Sequence, residues 1–317
     1  MDSMIVDCHV HLAAGAPEHG WVLPRLARTM GFRFLQAFLD LYGDKTLVER
    51  KYETALRRLL DATPQLHAAV VLAFDAVYDR YGQLDRKNTH FYVSNDYAIR
   101  TVAGRRKFLF GASVHPYRKD AVAEIERCVR AGAVLLKWLP ITQNFNPADE
   151  RCFPVYEALA HYGLPLLSHT GGEQIMPQLD KSVADPRLLV PALDRGVKVI
   201  AAHCGTRAHP LDADYLPQFI RMAQEFEHFY GDTSALNLPA RWYGFRAVLE
   251  HPRVRQKLVH GSDWPIFPIA PPRLTGWTFA LAKLTEPNWI LRDVLIKKRL
   301  GLDDAYWRRA AKILRRR

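Results

Sequence analysis

Cysteine is scarce: Cys8, Cys128, Cys152 and Cys204 are the four in a chain of 317 residues. None forms a CxxC pair, which argues against a zinc knuckle or a disulfide framework and leaves reduced thiols in a cytoplasmic protein as the expectation. Long apolar runs are also missing. No stretch approaches the ~18 residues that a membrane span needs, and the N-terminus lacks the basic region and apolar core of a secretory signal. No low-complexity or linker-like stretch divides the chain, so one domain over 1–317 is expected. Acidic residues are outnumbered, 33 against 44 basic ones, for a formal charge of +11. Much of the excess lies in "IKKRL" and "YWRRAAKILRRR". No nucleic-acid-binding module accompanies it. The tail is expected to be the solvated face of a terminal helix, with neither nucleic acid nor membrane as a partner.

What is present is an ordinary globular balance, 49% hydrophobic and 24% charged. Eight short apolar runs are interleaved with helical patterns: "MIVDCHVHL", "HAAVVLAF", "FLFGASVHP", "AVLLKWLP", "LPLLSHTG", "VKVIAAHCG", "HFYGDTS" and "KLVHGSDWP". The last six recur at about the length of one βα unit, roughly 30 residues. "KDAVAEIERCVRAG" carries Val122, Ile125 and Val129 at helical spacing, and Gly132 follows as a C-cap. Continuous apolar strands, each followed by a helix, imply a parallel sheet covered on both faces. Eight of them imply an α/β fold of the (β/α)₈ TIM-barrel type. A helical insertion at about 16–63 follows the first strand, on the face where barrel active sites form. Capping a substrate pocket and elaborating the packing are its two open roles.

The histidines and acids fall at strand ends. His9 and His11 end the first run, Lys137 the fourth, His169 the fifth, His203 the sixth and Asp263 the eighth. In a barrel these ends converge on one mouth. Residues i and i+2 of a strand share a face, so His9 and His11 aim together, with Cys8 and Val10 turned into the packing around the barrel. Imidazole and carboxylate suit Zn²⁺, and a catalytic zinc keeps one position open for water. Asp7 is expected one layer deeper on the same face, orienting a histidine. Asp75, His115 and Asp232 follow the second, third and seventh runs and are candidates for substrate contact or for loop and cap roles. Arg207 is a candidate for a substrate carboxylate, and Trp138 for an apolar pocket wall.

With these residues in place the chain resembles the amidohydrolase superfamily, closest to its amidohydrolase-related (amidohydrolase 2) branch. The likeness is carried by "DCHVHL", "PLLSHTG", "VIAAHCG" and "HGSDWP", in order and at barrel spacing. The resemblance implies that His9, His11 and Asp263 bind a divalent metal, Zn²⁺ foremost. With one ion, His169 completes the site and His203 acts on the substrate as acid, base or carbonyl contact. With two, a carboxylated Lys137 bridges the ions, and His169 and His203 bind the second. The implied activity is metal-dependent hydrolysis of a small-molecule ester, lactone or amide bond by metal-activated water. Asp263 would be the proton carrier, and the metal or His203 would polarise the carbonyl. The alternative is non-oxidative decarboxylation of an aromatic or conjugated acid on a similar ligand set. A homodimer is the base-rate expectation for assembly.

Overall fold

In the computed structural model, which describes residues 3–315, all eight apolar runs contain strands. Ten strands are present among the described residues: β1 (Val6–His11), β2 (Gly20–Val22), β3 (Ala68–Leu72), β4 (Phe91–Val93), β5 (Phe108–Ala112), β6 (Ala133–Trp138), β7 (Leu166–His169), β8 (Val199–Ala202), β9 (Phe229–Asp232) and β10 (Leu258–Val259). Eight pair in parallel in the order β1-β3-β5-β6-β7-β8-β9-β10. The chain after β10 closes the ring on β1. Cys8 N–H donates to the His260 carbonyl (3.0 Å), Asp263 N–H to the His9 carbonyl (2.9 Å) and His11 N–H to the Trp264 carbonyl (2.9 Å). The expected (β/α)₈ barrel is the result.

β3 and β6 are buried at every position, which is why their sequences are continuously apolar instead of alternating. Alternate side chains divide between two layers. Val10, Val71, Leu136, Leu166 and Val199 pack outward against the helices. Val70, Leu72, Leu135, Leu167, Ile200 and Val259 fill the barrel, closed at the strand starts by Ala310, Ala311 and Ile313 of the last helix and by Leu314 just after it. Arg308 and Lys312 of that helix (Asp304–Ile313) are exposed, so its basic face is solvated as expected; Arg316 and Arg317 lie outside the described residues. The helix Ala121–Arg130 buries Ala121, Ile125, Cys128 and Val129 but leaves Val122 exposed.

One irregularity changes the reading of β1. Asp7 pairs with Ala69 and Val10 with Val71, so three residues span two on the partner strand. Such a bulge reverses the side-chain alternation behind it. Asp7 therefore does not share the histidines' face: it turns outward, where Oδ1 accepts from the Ser262 and His9 backbone N–H groups. Cys8, expected in the outer packing, joins the barrel-filling layer instead.

The insertion is mostly helical, with helices Pro24–Ala27, Met30–Phe38 and Lys45–Asp61. The last is capped by Asp44, which accepts from Leu47 N–H (2.9 Å), and buries Tyr52, Leu56, Leu59 and Leu60. β2 within it pairs antiparallel with β4, an element the sequence pattern did not reveal. Met30–Phe38 has no buried residue. Met30, Phe34 and Phe38 form an i, i+4, i+8 stripe that is largely exposed.

Candidate metal centre

His9 Nε2, His11 Nε2 and Asp263 Oδ1 form a triangle with edges of 3.1, 3.1 and 3.2 Å. Lys137 Nζ stands 3.1 Å from His9 Nε2. The backbone that delivers these groups is tightly held. Asp263 and His203 both take left-handed conformations (φ 63° and 62°), which non-glycine residues keep only when the surroundings enforce them. A Cβ on Gly261 would lie 2.8 Å from His9 Cβ and 3.2 Å from Asp232 Oδ2. The glycine lets the last strand's extension approach His9.

Asp232, at the end of β9, organises the site from behind. Its Oδ2 accepts from His9 Nδ1 at 2.7 Å, which places the His9 proton on Nδ1 and leaves Nε2 as a lone pair facing the triangle. Its Oδ1 accepts from His203 N–H (2.9 Å) and Ser234 N–H (3.2 Å). Asp232, not Asp7, is the acid that orients the first histidine. Tyr52 of the insertion donates its hydroxyl to the His11 carbonyl (2.7 Å).

Burial holds His9, His169 and His203 well below the usual histidine range, and lowers Lys137 below the usual lysine range. Burial alone would raise Asp263, but His9, His11 and Lys137 hold it below the usual carboxylate value. Neutral imidazoles and an ionised carboxylate thus converge with few protons between them. His169 Nε2 is buried with no hydrogen-bond partner among the described residues. Donor spacings near 3.1 Å suit the edges of a coordination shell with bonds of ~2 Å. This donor set fits a divalent metal. His9, His11 and Asp263 are the three whose donor atoms lie within 4.8 Å of one another. His169 and His203 stand beside them with ring centroids 4.8 Å apart.

The cluster floors a cavity of about 150 Å³. Lys137, His169, His203 and Glu173 also line it, while Leu26, Phe32, Leu35 and Tyr52 of the insertion, with Phe74 and Phe91, form apolar walls. The insertion therefore does contribute to the pocket.

Besides Asp232, the other four candidate substrate contacts are not brought there either. Trp138 follows Lys137 on β6 and so points to the opposite side; its indole N–H donates to the Val114 carbonyl (2.7 Å) among Phe145 and Tyr156. Asp75 accepts from His115 N–H (2.7 Å) and Arg118 (3.2 Å). His115 is held at both ring nitrogens, Nε2 by the Gln143 carbonyl and Nδ1 by Tyr117 N–H. The Arg207 guanidinium lies 5.1 Å from the Tyr243 ring centre. Glu173, four residues beyond His169, lines the cavity but escaped the sequence reading; its position just past a strand-end histidine was the available signal.

A family model, Amidohydro_2 (amidohydrolase), matches residues 6–316. No curated protein matches the sequence significantly. Among solved structures, the chain is similar to 5-carboxyvanillate decarboxylase LigW from Sphingomonas paucimobilis (15% identity, TM-score 0.59, covering 98% of this chain and 99% of that one). It is also similar to 5-carboxyvanillate decarboxylase from Novosphingobium aromaticivorans in complex with manganese (14%, 0.53, 96% and 92%). A candidate 2-pyrone-4,6-dicarboxylic acid hydrolase from Pseudomonas putida is a third (12%, 0.50, 95% and 98%). At these identities the structural likeness speaks for the fold alone. The family match spans nearly the whole chain, and on that ground the protein belongs to the amidohydrolase family Amidohydro_2, a family of metal-dependent enzymes.

Proposed function

We propose that this enzyme hydrolyses an ester, lactone or amide bond in a small, neutral, largely apolar molecule. The charge of the cavity carries the reading. Among the described residues lining it are two acidic side chains, Asp263 and Glu173, and no arginine. Arg241, nearby, gives its N–H groups to Thr206 and to the Gly172 carbonyl. A bound divalent ion would offset the two acids, but the cavity still offers a substrate carboxylate no guanidinium to pair with, which favours a neutral carbonyl compound. Lys137 favours a second reading, decarboxylation of an aromatic acid: it is the one lysine lining the cavity, among the described residues, and its amine would face a substrate carboxylate.

His9, His11 and Asp263 would hold the ion, with His169 as a further donor. Burial draws Lys137 toward the neutral amine that carbamate formation needs, so a two-ion form with Lys137 and His203 as added ligands is open to this chain. When bound, a divalent ion such as zinc supplies Lewis acidity, which polarises a carbonyl and acidifies water. Asp263 takes a proton from the attacking water and passes it to the leaving group. His203 Nδ1 donates to the Ser234 carbonyl at 3.0 Å, so Nε2 faces the cavity as an acceptor. That arrangement supports a base or ligand role and speaks against neutral His203 donating to an oxyanion, one of the roles the resemblance implied. The apolar walls exclude bulk water around these groups.

The test is product analysis on zinc- and manganese-loaded enzyme. Neutral aryl esters, lactones and amides are followed by acid release, and hydroxybenzoic acids by CO₂ release. Acid release from the neutral panel is expected; CO₂ release alone would replace hydrolysis by the second reading.

A further inference from the structure

We infer that Glu173 is the substrate-recognition residue of this site, a fixed acceptor for a hydroxyl or amino group carried by the substrate. The inference rests on the proposed use of the cavity for a neutral carbonyl compound, and it narrows that class to molecules bearing a hydrogen-bond donor.

The two oxygens of Glu173 are in unlike positions. Oε1 accepts from the backbone N–H groups of Ile175 (2.7 Å) and Met176 (2.9 Å). Oε2 makes no hydrogen bond among the described residues; His169 Nδ1 stands 3.7 Å away, beyond hydrogen-bond reach. The side chain is only 13% exposed and lines the cavity. Its neighbours Ile175 and Met176 line the same wall with apolar groups. Oε2 keeps solvent contact through the cavity in the free protein, so a ligand that covers it without offering a donor would leave it unpaired, a cost that a donor-bearing ligand avoids.

The oxygen is also held in place. Gly171 N–H donates to the Ala184 carbonyl (2.9 Å) and Gly172 N–H to the Thr206 carbonyl (3.0 Å). Arg241 grips the Gly172 carbonyl from the other side. Gly171 has φ 79°, and a Cβ there would meet the Thr206 oxygen at 2.2 Å. A fixed acceptor selects strongly, because an analogue lacking the donor leaves it unpaired.

A competing role is orientation of His169 across the 3.7 Å gap. Calorimetric binding of benzamide, 3-hydroxybenzamide, 4-hydroxybenzamide and 3-aminobenzamide to metal-loaded wild type, Glu173→Ala and Glu173→Gln separates the two, with metal content measured on each protein. Gln keeps the shape and turns the free acceptor into a donor, so it serves if Ala perturbs the loop. At least one donor-bearing amide is expected to bind wild type about tenfold tighter than benzamide, the scale of a hydrogen bond to a charged group. That advantage is expected to shrink to within about twofold in both variants, with metal content unchanged. Three results would overturn the inference: no derivative outbinding benzamide in wild type, an advantage that survives in both variants, or loss of metal and of benzamide binding together. Binding is read without turnover, so a failed hydrolysis assay beside an intact donor preference would count against the reaction alone.

Discussion

The two walls of the cavity are built differently. The strand-end wall is polar, buried and fixed by backbone: His9, Asp232 and Lys137 are fully or almost fully buried, and Asp263 is pinned through its own N–H to the His9 carbonyl. The insertion wall is apolar and unevenly held: Leu26 and Tyr52 are buried, whereas Phe32 and Leu35 are half-buried on a helix that buries nothing completely. The difference separates two tasks. Rigid strand ends suit the proposed metal donors, whose geometry tolerates little displacement, whereas apolar contacts on the helix Met30–Phe38 could vary which molecule fits without disturbing those donors.

Mutations should divide along that line. The largest effect is expected for Asp263→Ala, which removes the proposed metal donor and proton carrier together. Turnover should fall by more than ~10³ and bound metal should drop, as checked by single-turnover kinetics and elemental analysis. Asp232→Asn comes next. It disturbs the 2.7 Å contact that fixes the His9 proton, and should weaken metal affinity by ~10–100-fold with the fold intact, as read by chelator competition. Phe32→Ala should raise KM by a few-fold, roughly the worth of lost apolar contact, and leave kcat and metal content nearly unchanged. A fall in metal content in Phe32→Ala would erase the proposed division between the walls.

The smallest effect on activity is expected behind the strand-end wall. Asp293 is buried beside Lys297 (2.6 Å), and burial pushes its carboxyl up to about 7 from 3.8, although Lys297 opposes the rise. Between these values the folded chain keeps a proton that the unfolded chain releases, so this group's contribution to stability declines as pH rises from about 4 to about 7. Denaturant midpoints should show that decline in wild type, and a shallower one in Asp293→Asn.

The barrel and the convergence of His9, His11 and Asp263 were legible because their signals are local. β-Branched runs of strand length, an HxH pair two residues apart and an acid closing the last run need no knowledge of neighbouring strands. Asp7 was misplaced because the bulge that turns it outward depends on the register of β1 against β3, which a single sequence does not display. Trp138 was a different error: strand alternation beside Lys137 already put it on the opposite face. Asp75, His115 and Arg207 do lie beyond strand ends, but only the folded chain shows the polar atoms of Asp75 and His115 already engaged and the Arg207 guanidinium set over the Tyr243 ring. Glu173 was hidden for the converse reason, since its significance lies in one oxygen that the fold leaves unpaired.

The most direct test of the account is metal content per chain, measured by elemental analysis on wild type and Asp263→Ala after reconstitution with zinc. The account predicts one to two equivalents in wild type, bound tightly enough to survive desalting, and a clear loss in the variant. A wild type that stays metal-free after reconstitution, or a variant that binds as much as wild type, would contradict the assignment of His9, His11 and Asp263 as the metal centre.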